Sequence, residues 1–163
     1  MNYLCSSVFI CVHLWFPFLL ASSVRPPAYE KEMEPQMNTD KTGLNAISER
    51  IIGGAFTVSN TLGSGFLEKV YENALAHELR KAGLHVIQQH DIAVWYDGVT
   101  VGAYNADLLV EDAVLVELKA VRVLDAVHRA QCMNYLRATG LGLCLLLNFG
   151  NPRLEIGRLA GGP

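Results

Sequence analysis

Between residues 85 and 121 the apolar residues recur at every second position, and two turn dipeptides interrupt them. Ile92, Val94 and Tyr96 alternate up to Asp97-Gly98, Val99 and Val101 resume beyond it, and Glu111-Asp112 precedes a third run over 113–121. A period of two marks strands. Asp-Gly between two such runs marks a two-residue hairpin, because the turn needs positive φ at both residues. The middle of the chain is therefore committed to consecutive antiparallel strands. A sheet of this kind is stable only when an apolar face is covered, so the segments on either side decide the fold.

Those segments are helical. Residues 46–60 place Ile47, Ile51, Ile52, Ala55 and Val58 at helical spacing, weakened by Gly53-Gly54. After the break Leu62-Gly63-Ser64-Gly65, residues 66–81 give a stronger helix, with Leu67, Val70, Ala74, Leu75 and Leu79 on one stripe and Gly83 as its stop. Beyond the strands, Asp125 caps a helix that runs to about residue 139 and ends at Gly140. The run 141–149 reads as a buried strand, and 153–158 as a short edge segment after Pro152. The order α-β-β-β-α-β predicts the α/β class, a mixed central sheet flanked by helices. With 51% hydrophobic and 18% charged residues the chain is not intrinsically disordered. A net charge of −3 excludes a polybasic arm and a general attraction to nucleic acid.

Residues 1–37 differ from the rest. The first 20 residues contain no Lys, Arg, Asp or Glu, and small residues Ala21-Ser22-Ser23 follow. An apolar stretch before small residues fits a secretory signal or an anchor. The absence of a basic start, together with His13 and Pro17, fits an upstream extension with translation from Met37 instead. On each of these readings residues 1–37 lie outside the fold and 38–163 form one domain. No stable membrane span is expected in that domain. A cytoplasmic location is expected, or an exported or membrane-tethered one if residues 1–23 act as a signal. Cys132 and Cys144 in the domain form no CxxC pattern and read as buried free thiols rather than a zinc site.

The charges on the strands are the informative feature. If the second turn is centred on Asp112, Asp107 lies opposite Glu117, and Lys119 shares their face because side chains alternate. Carrying the pairing back through Asp97-Gly98 puts Ile92, Val94, Val99, Val101, Ala103, Leu109 and Leu115 on the same face. Two carboxylates and an ammonium then share an apolar surface, where unpaired charge is costly and adjacent carboxylates repel. A divalent cation would relieve that cost, since Mg²⁺ is held by one or two carboxylates, and a nearby Lys can orient water. Spacing alone also permits a solvated sheet end with Asp107/Lys119 and Glu117/Lys119 ion pairs. Glu68, Tyr71 and Glu72 gather at the margin of one helix, and His128, Gln131 and Tyr135 on one side of the other. His77, His85 and His90 make no metal-like pair.

Gly65-Phe66-Leu67-Glu68-Lys69-Val70-Tyr71 resembles the G-x-x-E-x-x-Y signature of the GxxExxY proteins, a family of the PD-(D/E)xK nuclease superfamily. The segments Tyr104-Asn105-Ala106-Asp107-Leu108-Leu109-Val110, Val116-Glu117-Leu118-Lys119-Ala120, Ala130-Gln131-Cys132-Met133-Asn134-Tyr135-Leu136 and Asn148-Phe149-Gly150-Asn151-Pro152-Arg153-Leu154 resemble its later motifs, in order, over residues 45–159. The resemblance implies a restriction-endonuclease-like αβββαβ core. It implies catalytic roles for Asp107, Glu117, Lys119 and Glu68. Mg²⁺ or Mn²⁺ would be held by Asp107, Glu117 and the Leu118 backbone carbonyl, with Glu68 as a further candidate. Gln131, Tyr135 and Tyr71 would line the site or bind substrate. The implied function is phosphodiester hydrolysis in DNA, ahead of RNA, and the alternative is a catalytically silent module that binds nucleic acid or protein. A homodimer or a protein partner is compatible with either. Asn105 stands where the family usually carries a basic residue, and Cys132-Met133 where an aliphatic pair is expected. No separate DNA-reading element is visible, so sequence-specific cleavage by this chain alone is not expected.

Overall fold

The computed structural model describes residues 41–162; the expectations for residues 1–37 fall outside them. The first helix, α1 (Lys41–Leu62), passes straight through Gly53-Gly54. The helix-weakening glycines are tolerated because one of them permits close packing: a Cβ on Gly54 would lie 3.0 Å from Leu79 Cδ2 and 3.5 Å from Leu75 Cδ1. The second helix, α2 (Glu68–Lys81), starts two residues later than the sequence predicts. Gly63 (φ +70°) and Gly65 (φ +112°) bend the chain before it. Tyr71 then fixes that bend, its hydroxyl donating to Gly63 O at 2.9 Å and accepting from Phe66 N–H at 3.2 Å. The stripe α2 buries is Tyr71, Glu72, Leu75, Ala76 and Leu79, whereas Leu67 is 79% exposed.

Strands β1 (Val86–Tyr96), β2 (Val99–Val110) and β3 (Val114–Lys119) form the expected antiparallel run. Asp97 and Gly98 both have positive φ, +49° and +75°, as do Glu111 and Asp112 at +53° and +51°. Helix α3 (Ala126–Thr139) begins in a reciprocal cap: Asp125 Oδ1 accepts from Val127 N and His128 N, and Asp125 N–H donates to His128 Nδ1. It ends at Gly140 with φ +71°. The crossover through α3 brings β4 (Leu143–Asn148) parallel to β3, and β5 (Glu155–Ala160) pairs antiparallel with β4 at the edge. The sheet order is β1-β2-β3-β4-β5, a mixed sheet with two helices on one face and one on the other. This is the predicted α-β-β-β-α-β order.

Two apolar layers result. Ile51, Ala55, Tyr71, Leu75 and Leu79 of α1 and α2 pack with Leu108, Val114, Val116, Leu118 and Phe149 on one face. Cys132, Tyr135 and Leu136 of α3 pack with Ile92, Ala106, Leu109, Leu115 and Leu146 on the other. Each fully buried large side chain contributes about 1.5–3 kcal/mol. Cys132 and Cys144 are buried free thiols, as predicted. Among the described residues no helix is long and apolar enough to cross a membrane.

One register expectation fails. Tyr96 pairs with Val99 and Trp95 with Thr100, but Val94 then pairs with Gly102, not Val101, and Ile92 with Tyr104, not Ala103. Val101 is the extra residue of a β-bulge, so Val99, Val101 and Ala103 do not join Ile92 on a buried face; all three are exposed. A second irregularity lies at Asp107. Ala106 and Leu109, three residues apart, both pack on the α3 side, so the alternation slips between them, opposite Gln89 with φ +54°.

Candidate functional site

The β2–β3 ladder runs from Val110↔Val114 through Leu109↔Leu115 to Leu108↔Val116. The next pair in this register is Asp107 and Glu117, as the turn centred on Asp112 predicts. The ladder stops there, and the Asp107 side chain takes over: its Oδ2 accepts the Leu118 N–H at 2.7 Å. The slip at Asp107 thus replaces a backbone bond with a carboxylate bond at the end of β3, where α2 and α3 bracket the sheet.

Glu117 is 2% exposed. Its Oε1 accepts from Lys119 Nζ at 2.5 Å, while its Oε2 is buried with no hydrogen-bond partner. Lys119 Nζ also lies 3.9 Å from Glu68 Oε1, in the first turn of α2. From α3, Gln131 Nε2 donates to Tyr135 Oη at 2.5 Å, and Tyr135 Oη donates to Asn105 O at 3.1 Å. Tyr135 also adjoins Glu117 and, after Lys119, acts to lower its carboxyl's pKa.

The electrostatics follow from this crowding. Burial, then the neighbouring Asp107 charge, pushes the Glu117 carboxyl up to about 7, and the Lys119 bond offsets this only in part. Burial also raises Asp107, against the Leu118 N–H and Lys119, and raises Glu68 against Lys119. For Lys119 burial acts to lower the pKa, but the surrounding Glu117, Glu68 and Asp107 outweigh it and hold the ammonium above its ordinary value. The cluster is short of positive charge, and its one lysine is firmly protonated. Among the described residues no three His, Cys, Asp or Glu side chains converge as a ligand set. Two carboxylates, Asp107 and Glu117, adjoin each other, with Glu68 at the rim.

The predicted residues Asp107, Glu117, Lys119, Glu68, Gln131 and Tyr135 thus meet at one end of the sheet. Tyr71 does not line this cluster. It is fully buried, stacks on Phe149 with ring centroids 4.7 Å apart, and braces the loop that leads into Glu68.

A neighbouring network was not apparent from spacing. Glu72, 2% exposed, accepts from Lys69 Nζ at 2.7 Å, Gln88 Nε2 at 3.0 Å and Gln89 Nε2 at 2.8 Å. Gln89 Nε2 also reaches Asp107 Oδ1 at 3.4 Å, so Glu72 supports Asp107 through the residue at the slip. The pair Gln88-Gln89, two amides inside an alternating strand, was the available signal. Asn105 donates to Asp91 Oδ1 at 2.8 Å and Gln89 O at 3.1 Å, tying β2 to β1 beside the cluster.

A family model of the PD-(D/E)XK nuclease superfamily matches residues 45–159. The chain belongs to the PD-(D/E)XK nuclease superfamily. Its mixed sheet and αβββαβ order are the restriction-endonuclease-like fold of that superfamily. No curated protein matches the sequence. Among solved structures the chain is similar to an alkaline exonuclease, LHK-Exo, from Laribacter hongkongensis, at 15% identity and TM-score 0.45, over 77% of this chain and 73% of that one. LHK-Exo in complex with dAMP gives 16% identity and TM-score 0.46 over the same shares. The structure of SSO0001 gives 16% identity and TM-score 0.44, over 73% of this chain and 59% of that one.

Proposed function

We propose that this PD-(D/E)XK protein is a metal-dependent phosphodiesterase acting on nucleic acid, DNA ahead of RNA, and that it belongs to the GxxExxY group. The observation that carries the proposal is Glu117 Oε2, a buried carboxylate oxygen with no hydrogen-bond partner, on a side chain adjoining a second, half-buried carboxylate, Asp107. A buried polar atom of this kind calls for a partner, and a divalent cation is the partner that suits two carboxylates at once. Asp107 and Glu117 would hold Mg²⁺ or Mn²⁺, with the Leu118 carbonyl and Glu68 as further oxygen donors. When bound, the cation supplies Lewis-acid neutralisation of phosphate charge and activation of water.

The remaining steps belong to the chain's own groups. Lys119, kept protonated between Glu117 and Glu68, directs its N–H donors at the attacking water and at the charge that grows on the phosphate. Gln131 and Tyr135 line the substrate side from α3 and orient the phosphodiester. Tyr71 acts by fixing the loop that carries Glu68 to the rim. The signature residues Gly65, Glu68 and Tyr71 then serve as bend, rim carboxylate and brace, which supports the GxxExxY assignment.

The test is a nuclease assay on the full chain, with duplex DNA, single-stranded DNA and RNA, titrated with Mg²⁺ and Mn²⁺. Cleavage is expected to need the metal and to fall at least ~100-fold in Asp107→Ala and Lys119→Ala. Equal cleavage by those variants, or none by the wild type at any metal concentration, overturns the reaction. Salt-dependent binding without turnover would point instead to a catalytically silent binding module on this scaffold.

A further inference from the structure

The register sets Lys119 of β3 beside Asn148 of β4, and Asn148 beside Glu155 of β5. At about 4.8 Å per strand, Glu155 stands roughly 10 Å from Lys119 along the same end of the sheet. A cleft of about 450 Å³ opens there, lined by residues that include Val123, Leu124, Arg129, Arg153, Glu155 and Ile156. Arg129 and Arg153 are both exposed, and neither makes an ion pair among the described residues. The carboxylate in the lining, Glu155, accepts from Asn148 Nδ2 at 2.9 Å and is committed to β4 rather than to either guanidinium. No described arginine makes an ion pair, but Arg129 and Arg153 line one concavity together in a chain of net charge −3.

The wall of this cleft nearest the acidic cluster is held in place. Asn148 Oδ1 accepts from Val121 N–H at 3.0 Å, and Asn148 Nδ2 donates to Val121 O at 2.8 Å. Asn151 Nδ2 donates to Arg122 O at 3.0 Å. The loop that leaves Lys119 is thereby tied to the loop between β4 and β5, and Val123 and Leu124 follow it into the cleft. Guanidinium groups suit phosphate because they present paired N–H donors in a plane.

We propose that the Arg129/Arg153 cleft binds the phosphodiester backbone of the nucleic-acid strand that lies on the Asp107/Glu117/Lys119 cluster, about three nucleotides away at 3.4 Å per nucleotide. The proposal rests on the nuclease reading for the identity of the strand, but its test does not need turnover. Binding of a labelled 20-base-pair DNA duplex is measured by anisotropy in EDTA across a salt series. The wild type is compared with Arg129→Ala/Arg153→Ala and with Arg137→Ala, an exposed arginine at the far end of α3. Melting curves confirm that each variant folds. Losing two phosphate contacts lowers the slope of log K against log salt by about 1.8, which is roughly a 60-fold weaker affinity at 0.1 M salt. Arg137→Ala is expected to leave the slope unchanged.

A double variant with the wild-type slope overturns the proposal, as does a wild type that does not bind the duplex. Inorganic phosphate that competes at the concentration of duplex phosphates would make the cleft a free-phosphate site and also overturn it. A wild type that binds with the expected arginine dependence but never cleaves with Mn²⁺ would sustain this proposal while defeating the reaction proposed above.

Discussion

Glu117→Gln separates the charge of the buried carboxyl from its shape. The folded Glu117 is pushed up to about 7 from an ordinary 4.5, chiefly by burial. Below pH 4.5 both the folded and the unfolded chain carry the proton, and the group has no effect on the pH dependence of stability. Between 4.5 and 7 the unfolded chain releases the proton while the folded chain retains it, so stability falls as pH rises. Above about 7 the folded carboxyl ionises too, and the loss is complete. At 1.36 kcal/mol per unit the full loss is roughly 3 kcal/mol. Urea unfolding in EDTA at pH 4, 5, 6, 7 and 8 measures it. The wild type should lose about that much relative to Glu117→Gln across the range. Asp107, also raised, repels Glu117 directly, so the difference between the two proteins includes that repulsion as well as the burial of Glu117. Parallel curves for the two proteins would refute the claim that Glu117 is buried without adequate compensation.

Three further outcomes follow from the packing. Gly54→Val should lower stability by about 1–3 kcal/mol, because its side chain meets Leu79 and Leu75, whereas Gly53→Ala, with nothing within 4 Å, should raise it by up to ~1 kcal/mol; thermal melts of both decide. Tyr71→Phe keeps the ring on Phe149 but loses the bonds to Gly63 and Phe66, at a cost of about 1–2 kcal/mol, and hydrogen exchange should rise at Phe66. Gly150→Ala puts a Cβ 2.2 Å from Val121 O, so it should displace the loop after Lys119 and reduce cleavage along with stability, read by melting and nuclease assay together.

Much of this architecture was legible because it rests on local chemistry. Asp97-Gly98 and Glu111-Asp112 adopt the positive φ their turns need, and Asp125 and Gly140 cap α3 as expected. Centring the second turn on Asp112 placed Asp107 against Glu117, and the β2–β3 register agrees up to Leu108↔Val116. What stayed hidden depends on tertiary contacts. Nothing in the alternation of Val94, Trp95 and Val101 announces the bulge that moves Val94 to Gly102. Tyr71 reads as a marginal polar residue on its helix, yet packing against Phe149 and the turn at Gly63 buries it completely. Glu72 gains its place from Gln88 and Gln89 on another element, a partnership that helical spacing does not contain. Gly53-Gly54 weakens α1 in isolation, and only the approach of Leu79 explains why the helix runs on.

A cation held by Asp107 and Glu117 is tested most directly by Mn²⁺ binding to the full chain, followed by calorimetry at pH 6, where the Glu117 carboxyl still carries its proton. The wild type should bind Mn²⁺ and release protons as it does so, since the Glu117 carboxyl must ionise, and Glu117→Ala should abolish the binding while remaining folded. Equal Mn²⁺ binding by Glu117→Ala and the wild type, or no heat of binding in the folded wild type, would contradict it.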